Sequence, residues 1–166
     1  MTTLTSLFRI GGEGRASARP TATDADGRLA LVDRELDRVA AQGGVLILEI
    51  DRDGDSFARL DRFRHGGADA CEPPYDQSTI DFLRVGVAGA VGAAEYWGND
   101  GILATHNPRP SEADRHRVLY DTCVPLHFPP ETVVPLAEIR QLMRDYALSG
   151  EWSPAVPNRA HDDLVA

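Results

Sequence analysis

The chain has no lysine: its 17 basic residues are all arginine, set against 26 acidic ones, for a formal net charge of −9. We read the missing lysine as coding composition rather than mechanism. The shortage of positive charge is more informative. It argues against nucleic acid or an anionic membrane surface as a direct partner, because both attract basic proteins. The acidity suits a basic protein partner, or solubility alone. Cysteine is scarce too: Cys71 and Cys123 form neither a CxxC pair nor a disulfide framework, which points to a reduced, cytoplasmic setting. No run reaches the ~20 apolar residues needed to span a bilayer. The start, Met1 to Ile10, lacks a positive segment followed by a long apolar stretch, so no secretory signal is expected.

Signatures of chemistry are missing as well. Asp51-Arg52-Asp53-Gly54-Asp55 opens like a calcium loop, but Ser56 and Arg62 stand where that loop needs Gly and Glu. A solvated acidic hairpin turn is the plainer reading. Gly54-Asp55-Ser56-Phe57 is similar to the nucleophile block of GDSL-type hydrolases, yet none of the five histidines has the Asp three residues before it that those enzymes add. Gly86, Gly89 and Gly92 are not spaced as Gly-x-Gly-x-x-Gly and precede a strand pattern, so they read as turn and close-packing glycines. His65, His106, His116, His127, Cys71 and Cys123 show no short metal-ligand spacing. The zinc-deaminase pattern is absent too. We therefore expect no enzyme activity, no metal and no cofactor.

What is present is a foldable chain. At 166 residues, with 42% hydrophobic and 26% charged residues, it suits one domain with a proper core. Leu4–Ile10 alternates as a strand. Gly11–Arg28 is loop-like in composition, and Leu29–Gln42 has helical spacing stopped by Gly43-Gly44. Val45–Ile50 reads as a buried strand, and Arg64–Ser78 as loop. Strands are expected at Ile80–Val87, Val91–Trp97, Ile102–Thr105 and Arg117–Cys123, the first three joined as a meander by Gly-rich turns. Pro135 fits a helix's first turn. Leu136, Ile139, Leu142, Met143, Tyr146 and Ala147 share one face after it, and Gly150 is a left-handed stop. The expected fold is α+β: a largely antiparallel sheet of about six strands with two main helices on one face. Residues 1–159 form the single domain and 160–166 a frayed tail.

One short stretch has recognition character. Glu95-Tyr96-Trp97 beside Asn99-Asp100 sets two large aromatics among acids at a hairpin end. It reads either as a core Trp with a half-exposed Tyr or as a partner-binding hot spot, where Trp and Tyr are enriched.

Several segments together resemble a known family. They are Leu83-Arg84-Val85-Gly86-Val87, Gly92-Ala93-Ala94-Glu95-Tyr96-Trp97 and Val118-Leu119-Tyr120-Asp121. The ending Phe128-Pro129 through Val134-Pro135-Leu136, with Tyr146-Ala147-Leu148-Ser149-Gly150, completes the pattern. It is similar to the family numbered first among the immunity proteins of bacterial polymorphic toxin systems. The chain departs from that family at Glu151–Pro157, where a basic-Pro segment ending in Trp is usual. The resemblance implies a cytoplasmic, non-catalytic α+β protein. Such a protein binds and neutralises a cognate toxin domain, often a nucleic-acid deaminase, by occluding its active site. The candidate contact residues are Asp51, Asp53, Asp55, Glu95, Tyr96, Trp97 and Asp100. The alternative is a non-catalytic ligand- or protein-binding regulatory module. A small enzyme would need convergent polar groups that the sequence does not display.

Overall fold

Alternation along three consecutive strands decides the architecture of this computed structural model, which describes residues 2–9, 20–51, 81–98, 101–121 and 126–160. The strands are β1 (Thr3–Arg9), β2 (Thr21–Ala22), β3 (Gly44–Asp51), β4 (Phe82–Ala88), β5 (Val91–Gly98) and β6 (Gly101–Thr105), then β7 (Leu119–Asp121), β8 (Leu126–His127), β9 (Val134–Pro135) and β10 (Asn158–Ala160). Two helices, α1 (Ala25–Gln42) and α2 (Leu136–Ser149), complete the described fold. Eight strands form one sheet in the order β2-β1-β3-β4-β5-β6-β10, with β9 joined to the first residues of β5. All its pairings are antiparallel. Strands β7 and β8 pair only with each other.

The two faces of the sheet have different jobs, because successive side chains on a strand point opposite ways. Leu4 of β1, Leu46 and Leu48 of β3, Leu83, Val85 and Val87 of β4 and Ala94 of β5 meet Leu31, Val32, Leu36 and Val39 of α1. On the same side they meet Ile139, Leu142, Met143, Tyr146 and Ala147 of α2. This is the main core, and both helices lie on that face. Across their outer surfaces the helices are tied by charge: Arg140 donates to Asp33 at 2.8 Å and to Asp37 at 2.6 Å, and Arg144 also donates to Asp33.

The expected α+β class is present, and the differences from expectation have local causes. The sheet holds eight strands rather than about six, because β2, β9 and β10 are two or three residues long. Strands that short carry no alternation to read. Helix α1 begins at Ala25 instead of Leu29, because Asp24 caps it by accepting from the Gly27 N–H at 2.8 Å. Pro135 stands just before α2 with extended backbone, and the Leu136 N–H is satisfied by the Ala90 carbonyl at 2.9 Å. Gly150 does close α2 in the left-handed conformation, with φ 78°. Of the strand expected over Arg117–Cys123, Leu119–Asp121 form β7, which lies off the main sheet, and Thr122 and Cys123 lie outside the described residues. Past Glu151 the chain returns to the sheet edge, where Asn158–Ala160 pair with Leu103–Thr105. The tail 161–166 lies outside the described residues, as do the expected turn at Asp53-Gly54 and the expected loop Arg64–Ser78.

The second face is crossed by the β7–β8 ribbon. Val118, Phe128 and Val133 pack on Ala93 there, with Val91 and Tyr120 against them. The crossing is close because Gly86 lacks a side chain: a Cβ at that position would stand 2.2 Å from the Leu119 carbonyl oxygen. Thr105 pins the neighbouring edge, accepting from the Ala94 N–H at 3.1 Å and donating to the Thr132 carbonyl at 2.6 Å.

Candidate functional site

Beside that crossing, the same face holds a group of polar and aromatic side chains assembled by strand register. Phe82 stands opposite Trp97 and Arg84 opposite Glu95 across β4 and β5, and Glu49 of β3 stands opposite Phe82. Residues directly opposed share a face, so all five side chains lie on the side away from the helices. Tyr120 is delivered onto them by the ribbon.

Glu95 is the hub. Only 1% exposed, its Oε2 accepts from the Trp97 indole N–H at 2.6 Å and from the Tyr120 hydroxyl at 2.9 Å. These are charge-assisted bonds, which are short and strong. Arg84 is 8% exposed, and its guanidinium lies 4.3 Å from the centre of the Tyr120 ring and 5.9 Å from that of Phe82. Phe82 and Trp97 stack with their rings 5.6 Å apart and inclined by 13°, and Tyr120 meets Phe128 edge-on at 5.1 Å.

The electrostatics follow from burial. Sinking a carboxylate and a guanidinium costs several kcal/mol per ion in water lost, so such groups persist only where they are partnered. Burial pushes the Tyr120 hydroxyl above its ordinary range, and the adjoining Glu95 charge raises it further against the lowering effect of Arg84. Tyr120 is therefore held as a neutral donor. With Glu95 fixed from two sides, the cluster holds aromatic plates in place.

The seven residues expected at a contact surface separate. Glu95 and Trp97 share the face just described, with Glu95 beneath and Trp97 half-buried. Tyr96 points the other way: it packs against the helix-side core, meets Tyr146 edge-on at 6.0 Å and directs its hydroxyl to the Gly150 carbonyl. Asp51 ends β3, one step past Ile50, at the same end of the sheet as Phe82 and Trp97. Asp53, Asp55 and Asp100 lie outside the described residues. The sequence reading leaves Phe82, Arg84 and Tyr120 out of the contact candidates, although Arg84 and Tyr120 stand in the segments that carry the resemblance. A signal for part of this existed, since period two already sets Tyr96 on the face opposite Glu95 and Trp97. No local pattern announces Tyr120, which arrives from a separate ribbon.

Among the described residues no group of three or more His, Cys, Asp or Glu is placed to hold a metal ion, and no helix is long and apolar enough to cross a membrane. No protein-family model, no characterised protein and no solved structure matches the chain.

Proposed function

We propose that this chain is an immunity protein. It binds a cognate toxin domain, with a nucleic-acid deaminase as the class the resemblance suggests, and neutralises it by covering its active site. One observation carries the reading: the separate segments of the resemblance pack as one scaffold. Leu83–Val87 and Gly92–Trp97 are neighbouring strands, and Val118–Asp121 crosses them over Gly86. The run from Phe128 to Leu136 returns to β5 through β9, and Tyr146 seats under Tyr96.

The charge supports the same reading. Enzymes that act on nucleic acid present basic clefts, and a protein of net charge −9 is steered toward one. Such association reaches about 10⁸–10⁹ M⁻¹s⁻¹ at low salt. Occlusion then needs an interface of about 1,600 Å² in total.

The test is co-expression with the toxin domain encoded beside this gene. Growth should be rescued, and the two purified proteins should elute together in size-exclusion chromatography. Growth arrest in cells that contain this protein folded and soluble refutes the proposal.

A further inference from the structure

We infer that the Phe82–Trp97 pair, with Tyr120 beside it, is the seat for an arginine side chain of the partner protein. The inference rests on the immunity reading and specifies which surface and which chemistry carry it.

Three observations converge on that face. First, Phe82, Trp97 and Tyr120 are all half-buried, so each remains partly accessible. Second, the plates are fixed before any partner arrives. Trp97 and Tyr120 are both anchored on the same oxygen of Glu95, and Phe82 is stacked on Trp97. Pre-ordered aromatics lose little rotamer freedom on binding, which is why they dominate interface energies. Third, the charges closest to the plates among the described residues are mostly negative. Glu49 and Glu95 against Arg84 give −2 + 1 = −1, and the Asp121 charge is also felt at Tyr120.

The indole adds a specific preference. Its N–H donates to a buried carboxylate at 2.6 Å, which pushes electron density into the ring and deepens its negative face. A cation over that face is attracted by the ring quadrupole. Arginine fits better than lysine, because its planar guanidinium stacks on aromatic plates and sheds water more easily. Arg84 already makes this contact from within, 5.9 Å from the Phe82 ring and 4.3 Å from the Tyr120 ring. The partner's arginine repeats it from outside on Trp97. The chain's net charge of −9 favours such a cationic partner at longer range.

The experiment is titration calorimetry of the intact protein with the purified toxin domain encoded beside its gene. Four variants are compared with the wild type: Trp97→Ala, Trp97→Phe, Glu95→Gln and Leu148→Ala. Leu148 is an exposed apolar side chain on α2, away from this face. Trp97→Ala should weaken binding at least about 30-fold, the range of an interface hot spot. Glu95→Gln, which keeps a hydrogen-bond acceptor and removes the charge, should weaken it about five- to tenfold. Leu148→Ala should bind like the wild type. If Glu95→Gln does not fold by circular dichroism, Trp97→Phe takes its place, since it keeps a ring without the N–H; it should lose several-fold. Wild-type binding with Trp97→Ala within threefold overturns the inference and leaves the immunity reading standing. A folded Glu95→Gln, or Trp97→Phe in its place, as tight as wild type also overturns it. No binding by the wild-type pair removes both.

Discussion

Replacing Gly86 by alanine should unlock the polar face of the sheet. The added Cβ would stand 2.2 Å from the Leu119 carbonyl oxygen, 2.7 Å from Val118 Cγ1 and 3.1 Å from Phe128 Cε2. Ordinary carbon contacts need about 3.5 Å or more, so the ribbon must lift by roughly 1 Å. The closest obstacle is backbone, which cannot swing aside as a flexible side chain would. Overpacking of this kind costs about 1–3 kcal/mol. Lifting the ribbon also draws Tyr120 away from Glu95 and Arg84. That forfeits a hydrogen bond to a buried carboxylate, worth about 1–3 kcal/mol, and a cation–π contact worth about 0.5–2 kcal/mol. A total of about 2.5–8 kcal/mol is a large share of the roughly 5–15 kcal/mol that holds a domain together. Urea unfolding followed by far-UV circular dichroism gives the stability, and the near-UV spectrum reports the packing of Tyr120 and Trp97. A loss under about 1 kcal/mol with an unchanged near-UV spectrum refutes the close crossing.

Other perturbations probe the helix face and the ion pairs. Leu142, fully buried between α2 and the sheet, should cost about 2–5 kcal/mol when cut to alanine; urea unfolding showing less than about 1 kcal/mol means α2 is not docked. Asp33→Asn should cost about 1 kcal/mol once solvent screening is allowed for, measured by the same unfolding, and 1 M salt should shrink the difference. Burial pushes the Asp33 carboxyl up, but hydrogen bonds from Arg140 and Arg144 outweigh it and hold the group below its usual 3.8. Its stabilisation is therefore present above pH 3.8 and lost as pH falls through the lowered value; Asp33→Asn should flatten that part of the acid-unfolding curve. At the alkaline end, complete burial and the charges nearby drive the Tyr146 hydroxyl well above 10. A raised acid group stabilises fully below its unfolded value and loses that contribution as pH climbs, so melting temperature should drop above pH 10, and less steeply in Tyr146→Phe.

What could be read from the sequence, and what could not, divides by the range of the interaction responsible. Helix α2 announced itself because Ile139, Leu142, Met143 and Tyr146 sit on one face within a single element, closed by Gly150. The β4–β5 hairpin was visible because its turn needs a left-handed residue and Gly89 provides it, with φ 64°. The start of α1 was missed because its signal is one aspartate, Asp24, inside a stretch otherwise composed like a loop. The polar cluster was only half seen. Glu95 and Trp97 are two apart on one strand and declare a shared face, but Arg84 joins them through the register of a neighbouring strand. Tyr120 joins through a crossing that depends on the absence of a side chain at Gly86.

That dependence bears on how the two faces of the sheet divide their roles. On the helix side, apolar residues of many elements interlock, and any one of them matters mainly through the volume it fills. On the other side, a buried carboxylate accepts two hydrogen bonds and a guanidinium lies against two rings. Geometry there matters more than volume, since an ion displaced from its partners in a buried setting is penalised by several kcal/mol. Apolar residues of similar size would hold the ribbon down as well, often with better stability. They would not fix Trp97 and Tyr120 in one orientation, nor put negative charge beneath them. The resemblance to immunity proteins rests largely on packing residues, which specify the scaffold. The Glu95 cluster is the part of the described structure whose chemistry exceeds what packing requires, and the proposed recognition of a cationic partner would give that excess a use.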